Sequence, residues 1–327
     1  GIGHAAGNNV TTGLYNTLIG GLAGDALTDA DHNVAIGFNA LSSDTLGSAS
    51  IAIGKGALNG QNFTTATTAY NVAVGHSAGT SVSTGGSNTL VGGLAGDAIT
   101  TSVQNTALGY SALSAACGSS NTSVGGESLL VCTGASNTAI GKDAGLNNTS
   151  GGTNIFIGFQ SGITGSPGGN QTTGNGGIFL GDENISDAYI QVDWTVASDE
   201  RDKTDFVDLD LGLDFVKALE PVTYYWDKRS KYGDKYSDDY DLNAQTPDGT
   251  HKEDWMDVGF KAQSVKTLEE AAGYTLADKK NLTVSLSTDE KQYGLRYEKF
   301  IPILVKAIQD QDAIIQSLTA RIAALES

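Results

Sequence analysis

Residues 75–79 read GHSAG, the G-x-S-x-G spacing that presents a nucleophilic serine when a strand precedes it and a helix follows. Acyl transfer by Ser77 would need a later acid and a later histidine, and after His76 the chain has only His251. Glycoside hydrolysis is a second candidate chemistry, and it uses two carboxylates roughly 5 to 10 Å apart. Ahead of residue 182 the acids are Asp25, Asp29, Asp31, Asp44, Asp97, Glu127 and Asp143. Asp29 and Asp31 are the nearest pair, in a turn-like TDADHN stretch that reads as solvated. Cys117 and Cys132 are too few for a disulfide framework and match no zinc spacing, so they read as small buried apolar side chains.

The elements that must position these residues are repeats. NTLIG (16–20), NVAIG (33–37), SIAIG (50–54), NVAVG (71–75), NTLVG (88–92), NTALG (105–109), NTSVG (121–125), NTAIG (137–141) and NIFIG (154–158) start 17, 17, 21, 17, 17, 16, 16 and 17 residues apart. GIG (1–3) and GIFLG (177–181) are partial members. Residues 3–28 match 75–100 at an offset of 72, so four rungs were duplicated. A five-residue strand cannot bury itself, which predicts that equivalent strands stack into a β-solenoid. Within each segment the second and fourth residues form one face, of Thr, Val, Ile or Leu, and the third forms the other, usually Ala. The expectation is that the Val/Ile face fills the solenoid while the Ala face packs against another surface. Asn at the start and Gly at the end suit left-handed corners.

This ladder settles the opening motif. The position of Ser77 is filled in other rungs by Leu22, Asn39, Gly56, Leu94, Ser111, Glu127, Asp143 and Gln160, so it is a tolerant corner rather than a nucleophile site. The residue after it is nearly always Ala, which implies tight packing. The residue directly after the rung glycine is variable and often bulky, as in Phe38, Lys55, His76, Tyr110, Lys142 and Phe159, a stripe open to ligand contact or plain solvent. Stacking should also bring Cys117 and Cys132, in consecutive rungs, near each other as reduced thiols.

Composition divides the chain near residues 182–197. Before Asp182 stand two basic residues, Lys55 and Lys142, whereas most of the charge in a chain of net −18 lies after it. This balance argues against a nucleic-acid partner, which needs clustered Lys and Arg. No apolar run approaches the roughly 20 residues that span a bilayer, and no signal-peptide pattern opens the chain. Beginning at Gly1 suggests a fragment or processed form. No metal or cofactor is expected.

In the second half, Ile190, Val192, Trp194 and Val196 alternate with polar residues, predicting a half-buried connector strand within 182–197. LGLDFVKAL (211–219) has helical spacing, VTYYWDK (222–228) reads as a strand, and 258–271 reads as a strand turning into a helix. From 300 to 327 a heptad seam runs through Ile301, Leu304, Ile308, Gln311, Ile315, Leu318, Ile322 and Leu325. By itself that seam favours two strands, with Gln311 fixing register. The expected fold is mainly β: a repeat β-solenoid over 1–181, the connector, and an α+β domain over 198–327 ending in a coiled-coil helix.

The NTAIG-type ladder resembles the head repeats of trimeric autotransporter adhesins and, more closely, the repeats of marine phage tail fibres. SDERDK (198–203), LGLDFVKALEPVTYYW, VGFKAQSV and YGLRYEKFIPILVKAIQDQ, in that order, resemble the intramolecular chaperone domain at the C-terminus of endosialidases and many phage fibres. The resemblance implies a homotrimer whose chaperone sets three repetitive chains in register. It implies a virion tail fibre assembled in the host cytoplasm, joined to an upstream fibre segment or tail, with a host glycan or protein receptor whose binding residues are not identifiable. It also implies self-cleavage between Ala197 and Ser198, with Ser198 as nucleophile, Lys203 as base and Asp199 and Arg201 in support. Such cleavage would be a single-turnover peptidase event. The competing functions are a glycan-depolymerising tailspike and a cellular trimeric adhesin.

Overall fold

The computed structural model describes residues 1–237 and 239–326, in two compact units, Gly1–Ile185 and Ser186–Ser327. The division falls inside the 182–197 connector.

The first unit contains the strands β1 (Thr17–Ile19), β2 (Val34–Ile36), β3 (Gly47–Ser48), β4 (Ile51–Ile53), β5 (Thr67–Thr68), β6 (Val72–Val74), β7 (Thr89–Val91), β8 (Thr106–Leu108), β9 (Thr122–Val124), β10 (Thr138–Ile140), β11 (Ile155–Ile157) and β12 (Ile178–Leu180). All except β3 and β5 stack in chain order into one ten-stranded parallel sheet. Equivalent residues lie side by side, Ala35 next to Ala52 and Ala52 next to Ala73. β3 and β5 pair separately, in the rungs on either side of the 50–54 segment. The stacked-repeat solenoid expected from the 17-residue period is the fold of this unit.

Its inside and outside are the reverse of the expectation. The middle residue of each strand points inward: Ala35, Ala52, Ala73, Leu90, Ala107, Ser123, Ala139 and Phe156 are fully buried. The flanking Thr, Val, Ile and Leu side chains point out, and Ile19, Ile51, Leu108, Ile140, Ile155 and Ile157 are each more than a third exposed. A narrow coil explains why. Where the strand contributes Ala35, Ala52 or Ala107, a buried leucine six residues on, Leu41, Leu58 or Leu113, fills the space from the opposite corner. Where it contributes Leu18, Leu90 or Phe156, the corner residue is Gly24, Gly96 or Gly162, and a Cβ there would lie 2.4 to 2.7 Å from the large side chain. In these rungs a large side chain at one position accompanies a small one at the other, whereas at Ala73/Gly79 and Ala139/Gly145 both are small and the space beside the glycine is taken by Leu58 and Leu90, or by Leu129 and Phe156, of the neighbouring rungs. The near-invariant alanines Ala23, Ala40, Ala57, Ala78, Ala95, Ala112 and Ala144 are also fully buried.

The corners also differ in detail from the expectation. The asparagines are not the left-handed residues; the residue before each is, as in His32, Tyr70 and Gln104. The asparagines are buried instead and form a ladder in which each backbone N–H donates to the side-chain oxygen one rung back, at 2.9 Å for Asn33 to Asn16 and 3.0 Å for Asn105 to Asn88. This column satisfies polar backbone that the coil would otherwise bury unpaired. At rung four Ser50 replaces Asn, and buried Gln61 closes the gap, donating to Ser50 Oγ at 2.9 Å and accepting from Asn71 at 2.8 Å. The rung glycines have φ that only glycine adopts readily: Gly54 has φ +129°, and a Cβ there would sit 2.3 Å from the Gly75 carbonyl oxygen.

The second unit is α+β: α1 (Leu213–Ala218), β13 (Val222–Tyr224), β14 (Asp257–Gly259), α2 (Ala262–Ala271), β15 (Val284–Leu286), β16 (Tyr293–Leu295) and α3 (Phe300–Glu326). β13 pairs antiparallel with β14, and β15 with β16. Leu211, Phe215, Val265, Val284, Phe300 and Ile303 form its core. Buried Glu269 on α2 accepts from the Thr283 N–H at 2.6 Å and its hydroxyl at 2.5 Å, tying the helix to the β15–β16 hairpin. The connector strand expected within 182–197 is absent from the single chain. Ile190, Val192, Trp194 and Val196 are each more than half exposed, because no second backbone lies alongside to pair with them.

Candidate functional site

Ser198 opens a short turn. Asp199 caps the 3-10 helix Glu200–Asp202, accepting from the Arg201 backbone N–H at 2.9 Å. Arg201 returns over it and donates through Nε at 3.0 Å and Nη2 at 2.6 Å, a two-pronged clamp on one carboxylate. The Arg201 hydrogen bonds hold the Asp199 carboxyl below the usual carboxylate range, so it stays an acceptor. The helix turns the chain so that Lys203 comes back to Ser198: its Nζ donates to Ser198 Oγ at 2.6 Å and to the Ser198 carbonyl at 3.1 Å. A hydroxyl and an amine in direct contact are the two groups a Ser/Lys nucleophile needs. Ala197, Ser198 and Lys203 are all exposed in the single chain.

The seam residues lie on α3. Ile301, Leu304, Ile308, Ile315, Leu318, Ile322 and Leu325 are all at least 45% exposed, and Gln311 is exposed too. A different face of α3, with Phe300, Ile303 and Ala307, enters the core. Asp310 fixes that docking by accepting from the Leu213 N–H at 3.1 Å and from Lys306 Nζ at 2.5 Å. The seam is therefore an exposed apolar face, interrupted by Gln311, with no partner among the described residues.

Residues 198–274 match the family model described as chaperone of endosialidase. Comparison with curated proteins and with solved structures returned no match. The matched segment begins at Ser198 and takes in the clamp, α1, β13, β14 and α2, whereas the hairpin and α3 follow it.

The remaining sequence candidates separate from any shared site. Ser77 sits at φ +55°, its N–H donating to the Lys55 carbonyl at 2.8 Å, and equivalent positions in other rungs are left-handed too. It is a corner. Asp29 and Asp31 each accept from the rung before, from the Thr12 hydroxyl and from the Leu14 N–H at 2.6 Å, and Asp97 accepts from the Ser114 hydroxyl one rung on. These acids join rungs. Phe38, Tyr110 and Phe159 stand about half exposed in the stripe after the rung glycines. Cys117 and Cys132 are buried free thiols; burial pushes the Cys117 thiol up to about 12, and the nearby Cys132 adds to the shift. No described helix is long and apolar enough to cross a membrane. Sequence reasoning missed the cavity between the β15–β16 hairpin and the start of α3, because its lining residues come from three separate stretches.

Proposed function

We propose that this chain is the distal part of a trimeric phage tail fibre that binds the host surface, with a C-terminal chaperone that trimerises the chains and sets their register. The observation that carries the reading is the joining, in one chain, of a repeat ladder to a segment matching the chaperone of endosialidase. Two exposed apolar surfaces support self-association: the Thr/Val/Ile face of the ten-stranded sheet and the seam of α3. Contiguous apolar surface of this kind marks an interaction site. In the trimer the sheet faces of three chains cover one another, and the α3 seams meet as a coiled coil. Identical rungs make slippage by one rung cheap, so a chaperone that aligns the C-termini first is a physical requirement of such a ladder.

The contact between Ser198 and Lys203 supports self-cleavage. Lys203 takes the Ser198 hydroxyl proton while Oγ attacks the Ala197 carbonyl carbon. The Ala197–Ser198 C–N bond breaks, the proton passes to the Ser198 nitrogen, and an ester joins Ala197 to Oγ. Water then hydrolyses the ester, leaving an Ala197 carboxylate and a new N-terminus at Ser198. Asp199 and Arg201 hold the turn. Assembly supplies the enclosure that the exposed single-chain turn lacks.

The ladder binds rather than cuts, since its nearest acids are occupied in joining rungs. The upstream partner is the preceding fibre segment or tail, and assembly takes place in the host cytoplasm. The test is incubation of the assembled protein with host envelope polysaccharide: retention on the polysaccharide with its length distribution unchanged is expected. Release of oligosaccharides would favour the tailspike reading.

A further inference from the structure

A cavity of about 430 Å³ opens in the second unit, lined by the apolar Leu209, Leu282, Pro302 and Ile303 together with Asn281, Arg296 and Lys299. Four of its seven lining residues are apolar, and two are cations three residues apart. Neither cation has a carboxylate partner among the described residues; the Arg296 guanidinium makes a 3.5 Å bond to the Leu282 carbonyl. In a chain of net charge −18, two such cations among apolar lining residues are complementary to an acidic, apolar peptide. The chain carries one. Residues 205–208 read Asp-Phe-Val-Asp, with Phe206 67% and Val207 89% exposed, and Asp205 holds a left-handed φ of +56°. The carboxylates bracket the two apolar residues at the same three-residue spacing as the cations.

We propose that Arg296 and Lys299, with the apolar residues that line the cavity, dock the 205–208 arm of a second copy of this chain. The arm of the same chain is poorly placed for it. Leu209, the residue after the arm, is itself a wall of the cavity, so the chain would have to reverse within three residues to bring Phe206 back into it. Between copies, Phe206 enters the cavity while Asp205 and Asp208 meet Arg296 and Lys299. Arms passed from copy to copy link the chains a few residues after the Ser198 turn, so the link survives a cut at Ala197–Ser198. The proposal rests on the multimeric reading above.

The full chain carrying Phe206→Cys and Leu282→Cys, mildly oxidised and run under denaturing conditions, tests it. Covalent species of two and three chains are expected, and a cut at residue 197 leaves both cysteines on one fragment. An intrachain link, or none, in protein that still sediments as a trimer would overturn the dock and leave the trimer standing; a monomer would overturn both. Arg296→Asp with Lys299→Asp should lower the cross-link yield at least tenfold. Adding Asp205→Lys with Asp208→Lys should restore it, and failure to restore it would show that charge does not seat the arm.

Discussion

Ser198, Asp199, Arg201 and Lys203 lie within six residues, and each has one task in the turn: Asp199 starts it, Arg201 clamps Asp199, and Lys203 reaches Ser198 Oγ at 2.6 Å. Mass spectrometry of freshly assembled protein should find a new N-terminus at Ser198, lost on Ser198→Ala and on Lys203→Ala. Arg201→Ala should slow its appearance without abolishing it. An intact wild-type chain after prolonged incubation would end the self-cleavage claim. Cys117 gives a second residue-scale test. Its thiol is raised from 9.0 to about 12 chiefly by burial, so the folded state binds this proton more tightly than the unfolded state. The sign follows by linkage: the contribution is whole below about pH 9 and is lost as pH rises toward 12. Thermal midpoints should fall over that window and fall less in Cys117→Ala. Because the thiolate is the reactive form, alkylation at pH 8 should track unfolding.

At the scale of the element, most rungs share a volume between the middle strand residue and the corner residue six positions later, and Ala73/Gly79 and Ala139/Gly145 are filled from the neighbouring rungs instead. Ala35→Leu should overpack the coil by about 1 to 3 kcal/mol, since Leu41 already occupies the space. Leu41→Gly alone should cost about 2 to 5 kcal/mol as a cavity. Together they recreate the Leu18/Gly24 pairing, and the double mutant should recover most of the loss in chemical denaturation. Additive losses would show that the two sites do not share volume. Ile36→Lys with Ile140→Lys should instead leave the coil intact and weaken association. This pairing was present in the sequence as Leu-x5-Gly against Ala-x5-Leu. The period, the parallel stacking and the small-residue column were likewise legible, because each rung repeats them. Which face lay inside was not. Alternation distinguishes two faces, and the rule that larger apolar residues go inside fails in a coil whose middle strand residues already fill it. The asparagine column was also hidden, since a turn-forming residue and a ladder residue are the same letter.

Across the whole molecule, both units leave apolar surface uncovered, and in the proposed trimer copies of the chain cover it. The α3 seam was legible from its spacing of three and four, and so was the Ser198 turn, which the resemblance named before any geometry. The connector was read as a strand from real alternation at Ile190, Val192, Trp194 and Val196, yet a strand needs a neighbouring backbone that a single chain does not offer. The arm dock was beyond reach, because Leu209, Leu282 and Arg296 become neighbours only through folding. Sedimentation equilibrium of the full chain tests the central claim most directly. The account predicts a single species of three times the 33.7 kDa chain mass for the uncut chain. A stable 33.7 kDa monomer, or a dimer at every concentration, would contradict it.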